Sequence, residues 1–108
     1  MDKTIHITLG ERNDRCNTER AQECLDRGLV LSMFGNRADA IRFYRKALLL
    51  DPDNAIGHYM LGVALMKRGD TDDAVHEWRA TADTNRPGTQ ARWARRQAQK
   101  LLQDYARQ

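Results

Sequence analysis

Residues 21–54 and 55–88 carry one pattern of residues twice, at a constant offset of 34 positions. Ala21, Gly28, Leu31, Gly35, Asp39, Ala40 and Arg45 recur as Ala55, Gly62, Leu65, Gly69, Asp73, Ala74 and Arg79. Asn36, Ile41 and Tyr44 recur in kind as Asp70, Val75 and Trp78. A fixed period of this size means that each copy is one supersecondary unit, and that the core forms by stacking the units rather than by closing a single shell.

Within the first copy the apolar spacing is helical. Leu25, Leu29 and Met33 with Cys24, Gly28 and Leu31 predict a helix starting between Asp14 and Thr18 and running to about Phe34. Gly28 inside it costs about 1 kcal/mol relative to alanine. Its recurrence as Gly62 suggests a neighbouring helix that passes too close for a Cβ. Gly35 ends the helix, being free to take positive φ, and Asn36 with Asp39 three residues on resembles a cap for the next one. That second helix carries Ala40, Ile41, Phe43, Tyr44, Ala47, Leu48 and Leu50, with Tyr44 as the bulky plug, and stops at Asp51-Pro52. The second copy repeats the grammar with a helix over about 54–68, Gly69 and Asp70 at the turn, and a helix over about 71–84. It departs at two places: Thr81 replaces Ala47, and Arg86 replaces Pro52, with Pro87 one residue later. Thr89 to about Ala106 predicts one more helix, with Trp93, Ala94, Gln97, Ala98, Leu101, Leu102 and Tyr105 on one face.

At these residues the chain resembles the tetratricopeptide repeat family, whose unit of about 34 residues pairs two antiparallel helices. The resemblance implies an all-α fold, a right-handed α–α superhelix of about five helices. Repeat one would be 21–54, repeat two 55–88 and a capping helix 89–106, together a domain over 18–108. Residues 1–17 fall outside it as an N-terminal extension. There Thr4 to Leu9 alternates polar and apolar like a strand, yet has no second strand to pair with. The extension is read either as a partly ordered leader or as an extended segment laying Ile5, Ile7 and Leu9 against an apolar groove.

Catalytic chemistry finds no footing. His6, His58 and His76 show no ligand spacing with each other or with Cys16 and Cys24, and His58 falls where Cys24 does, which points to packing. Asp51-Pro52-Asp53 begins like a calcium loop, but Ala55 and Ile56 stand where a ligand and the glycine belong. No glycine-rich phosphate cradle or activated nucleophile is present, so the expectation is a protein with no enzymatic activity, metal or cofactor. The opening residues lack a secretory signal, no stretch reaches membrane-span length, and two cysteines make no disulfide framework. A cytoplasmic location is expected.

In the family, the first helix of each pair lines a concave groove for peptides. Carried onto this chain, that wall is Gln22, Leu25, Leu29, Ser32 and Met33, then Ile56, Tyr59, Val63, Met66 and Lys67, with Trp93 and Gln90 following on the last helix. One branch of the family clamps chaperone C-terminal carboxylates with basic residues and asparagine. Leu25, Leu29 and Met60 occupy those places here and cannot donate to a carboxylate, which argues against that ligand. Three functions follow. The first is an adaptor that binds a short segment of a partner protein in the apolar groove. The second is a homo-oligomer, such as a homodimer, joined through the groove or the N-terminal segment. The third, disfavoured, is an anionic surface or nucleic acid bound by Arg92, Arg95, Arg96 and Lys100. Net charge is only +3, but from Arg86 onward six basic residues face Asp104 alone.

Overall fold

In the computed structural model, which describes residues 2–107 with side chains from Asn17 onward, every regular element is a helix. They are α1 (Asp2–Met33), α2 (Arg37–Leu50), α3 (Ala55–Arg68), α4 (Thr71–Asp83) and α5 (Thr89–Ala106). The two copies of the sequence pattern form the hairpins α1–α2 and α3–α4, and α5 packs against α3 and α4. α1 starts at Asp2, well before the expected Asp14 to Thr18. A lone strand would leave its backbone groups without a ladder, whereas a helix satisfies them internally. The alternation from Thr4 to Leu9 therefore does not make an extended segment. Contacts of Ile5, Ile7 and Leu9 concern side chains outside those described.

Glycine decides how each hairpin closes. A Cβ built on Gly28 would lie 2.5 and 2.7 Å from the Tyr44 ring and 3.2 Å from the Ala40 carbonyl oxygen. One on Gly62 would meet the Trp78 indole and lie 3.2 Å from the Ala74 carbonyl oxygen. Each aromatic therefore packs directly against the glycine of its hairpin partner, at positions related by the repeat offset. The turns match as well. Gly35 and Gly69 have φ of 84° and 95°, and the next amide reaches back to close the helix, Asn36 N–H to Leu31 O at 2.8 Å and Asp70 N–H to Leu65 O at 2.9 Å.

That closure corrects the expected caps. Neither Asn36 nor Asp70 caps its helix through its side chain. Asp39 instead pairs with Arg42 at 3.6 Å, and Asp70 accepts from Arg68 Nε at 2.6 Å. Asn54 does cap α3, accepting from the Gly57 amide at 2.9 Å. Thr81, buried in place of Ala47, is accommodated because its hydroxyl donates to the Glu77 carbonyl at 2.9 Å. The main core fills the space between α1, α2 and α3, with Leu25, Ile41, Tyr44, Leu61 and Leu65. A second cluster, Val75, Trp78 and Ala98 with Leu101 and Leu102 against it, seats α5 on α4. Ala91, Ala94 and Ala98 are the residues of α5 that are buried; Trp93 and Tyr105 stay exposed, unlike the single apolar face expected.

Adding a methyl group at either glycine drives it into a ring that has no room to move. Overpacking of this kind outweighs the gain in helix propensity, so Gly28→Ala and Gly62→Ala should each lower the unfolding free energy by about 1–2 kcal/mol. Urea unfolding midpoints check this; a neutral or raised midpoint would contradict the close approach.

Candidate functional site

One face of the stack is built from α1, α3 and α5, while α2 and α4 lie behind. Because the hairpins stack in register, the first helices of successive units line up and leave a hollow where α5 closes the row. This cavity of about 390 Å³ is walled by Gln22, Leu25, Asp26 and Leu29 from α1. Ile56 and Met60 of α3 form its floor, and Thr89, Gln90 and Trp93 of α5 its far side. Leu29 and Trp93 are 47% and 49% exposed, so two large apolar side chains face the opening. The Trp93 ring is held by Tyr59, edge to face at 5.3 Å between centroids and 81° between planes.

The expected wall residues divide accordingly. Gln22, Leu25, Leu29, Ile56, Gln90 and Trp93 come together around the cavity. Leu25, at 1% exposure, belongs chiefly to the core and offers a guest almost no surface. Tyr59 is half-buried and acts behind Trp93. Val63 and Met66 pack into the α4–α5 cluster, and Ser32 lies near the Tyr44 hydroxyl, whose pKa it lowers against the burial that raises it. Met33 (76% exposed) and Lys67 do not line the cavity; Lys67 contributes its carbonyl to Arg37 at 3.3 Å. Asp26 and Thr89 also line it, although the repeat pattern does not mark them, as does Met60, which matches a clamp position of the family.

The third wall is positioned by polar contacts that the apolar pattern does not announce. Asp51, buried at the end of α2, accepts two hydrogen bonds from the Arg86 guanidinium at 2.6 and 2.7 Å and one from Asn54 Nδ2 at 3.2 Å. The Arg86 pairing holds the Asp51 carboxyl below its ordinary range despite the burial that opposes it. Arg95 of α5 in turn donates to the Arg86 carbonyl at 2.7 Å. A chain of contacts thus runs from α5 through the α4–α5 linker to the α2–α3 linker. The departure at residue 86, arginine where the first unit has proline, was its visible trace in the sequence. Arg95 is consequently not a free member of a basic patch; Arg92, Arg96 and Lys100 remain exposed along α5.

His58 is more than a packing residue. Its Nδ1 lies 2.9 Å from Glu77 Oε2 and its Nε2 2.8 Å from the Pro52 carbonyl oxygen. Both partners only accept, so the doubly protonated ring satisfies both, and Glu77 first of all raises the His58 pKa above its ordinary value. Among the described residues, no group of three or more His, Cys, Asp or Glu is placed to hold a metal ion, and no helix is long and apolar enough to cross a membrane.

Stacked helical hairpins with a capping helix and an open inner wall define an α-helical repeat protein. The chain matches the tetratricopeptide repeat family over residues 25–90 and belongs to it, with that family's right-handed superhelix of helical hairpins. Its repeats generally mediate protein–protein interaction. A comparison with curated proteins finds no match.

The His58–Glu77 pair makes stability fall as pH rises through neutrality. Because the folded state holds the imidazole proton more tightly than the unfolded chain, the contribution is whole below about pH 6.5 and is lost as pH rises through the higher folded value. The difference in unfolding free energy between wild type and Glu77→Gln should therefore shrink as pH is raised from about 6 to 8. A difference that grows with pH would contradict it.

Proposed function

We propose that residues 18–108 form a non-catalytic adaptor that binds a short segment of a partner protein in the apolar cavity between α1, α3 and α5. The repeats at 21–54 and 55–88 supply two walls and the capping helix 89–106 the third. One observation carries the reading. Leu29 and Trp93 stand half exposed on opposite sides of an open hollow, although the hairpin core is complete without them. Aromatic anchors in such pockets carry much of the binding energy at protein interfaces. A cytoplasmic placement belongs to the same proposal, and a nucleic-acid role is weakened by the use of Arg95 within the fold.

A second reading, self-association, is favoured by a different face. Val30, Leu31 and Phe43 line an almost wholly apolar hollow of about 440 Å³ on the other side of α1, and Phe34, 79% exposed, lies at the end of that helix. The matching positions in repeat two, Ala64 and Leu65, are buried in the core that repeat one shares with it. If copies join here, light scattering will show a dimer that Phe34→Glu dissociates; a monomer at high concentration would exclude it.

For the adaptor reading, peptides selected from a random display library should bind the chain and shift the amide resonances of α1, α3 and α5. Leu29→Glu and Trp93→Ala should each weaken them about tenfold or more without altering the unfolding midpoint. Binding indifferent to both substitutions would overturn the groove as the site. These positions are preferred over Tyr59→Ala, which would also remove half-buried packing behind Trp93.

A further inference from the structure

We infer that the segment received by the groove is an apolar one carrying a lysine or arginine, whose charged end is held between Asp26 and Trp93. This rests on the groove being a peptide site and concerns the chemistry of its guest. Asp26 is the one ionised side chain among the residues lining the cavity; Gln22, Thr89 and Gln90 are polar but neutral, and the others are apolar. It stands on the crest between the two hollows of α1, while Arg27 lines the other hollow with Val30 and Phe43. Asp26 forms no ion pair among the described residues. Gln22, one turn earlier, donates Nε2 to its Oδ1 at 3.0 Å and steadies the carboxylate at the rim.

A guest that covers this rim with apolar surface alone strips water from a carboxylate and gives nothing back, which is costly. An acidic guest adds repulsion. A lysine or arginine avoids both penalties, because its aliphatic stem lies along apolar surface such as Leu29 and Met60 while its charge reaches the rim. Across the cavity, the half-exposed Trp93 ring, held by Tyr59, offers a second attraction for a cation. The exposed cations of α5, Arg92, Arg96 and Lys100, are not among the lining residues.

The experiment pans a random-peptide display library on the full chain and on Asp26→Asn and Asp26→Lys, and titrates the selected peptides as synthetic copies. Peptides whose binding needs Leu29 and Trp93 should carry lysine or arginine well above the library frequency. Replacing that cation by norleucine should weaken binding about 3- to 10-fold to the wild type. The difference should vanish in Asp26→Asn and fade with added salt. Asp26→Lys should turn the selection toward aspartate and glutamate. Groove-dependent peptides with no excess of cations, or a norleucine penalty unchanged in Asp26→Asn, would overturn the inference and leave the groove reading intact. A library yielding no peptide that depends on Leu29 and Trp93 would overturn both.

Discussion

The contact on which the rest of the molecule depends is an aromatic ring laid against a glycine across each hairpin. Tyr44 over Gly28 and Trp78 over Gly62 set how closely the two helices of a unit approach. That spacing fixes where the next unit can stack. A residue with a Cβ would hold the helices apart and break the register between α1, α3 and α5 from which the groove is formed. The loss in helix propensity at two interior glycines, about 1 kcal/mol each, is offset by the packing that their absent side chains permit.

The two units are not identical in how they complete this contact. In the first, the Tyr44 hydroxyl meets Ser32, although burial still raises its pKa. In the second, Met66 stands in the place of Ser32, and the buried Trp78 Nε1 has no hydrogen-bond partner among the described residues. Charged contacts bind the two units and the helices of the second together. Asp51 with Arg86 joins the α2–α3 linker to the α4–α5 linker, and His58 with Glu77 joins α3 to α4. The Arg86 end of the first pair is in turn held by Arg95 of α5, the helix that adds the third wall of the cavity.

Much of this was legible in the residues because the repeat writes it twice. The offset placed both glycines, both aromatics and both turn glycines, and the proline and glycine punctuation bounded α2 through α5 to within a residue or so. What stayed hidden was whatever the repeat does not duplicate. The start of α1 precedes the repeated region, where a local alternation competed with helix continuation and lost for want of a partner strand. The Asp51–Arg86 pair joins residues 35 apart and breaks the pattern at one end, so it read only as a substitution. At the cavity, helical spacing put α1, α3 and α5 on one wall, as the structure places them. It could not tell which of Leu25, Leu29 and Val63 faces inward to the core and which faces the hollow, since that depends on how the hairpins cross. Asp26 carries no signal in the sequence, because a lone charge on a helix is ordinary without the cavity beside it.

The glycine–aromatic contact can be observed directly in a solution NMR spectrum. Nuclear Overhauser contacts are expected from the Gly28 Hα protons to the Tyr44 ring and from the Gly62 Hα protons to the Trp78 indole, with both glycines shifted by ring currents. Finding either glycine without its aromatic neighbour, or the two in unlike surroundings, would contradict the paired hairpins from which the groove and its proposed guest follow.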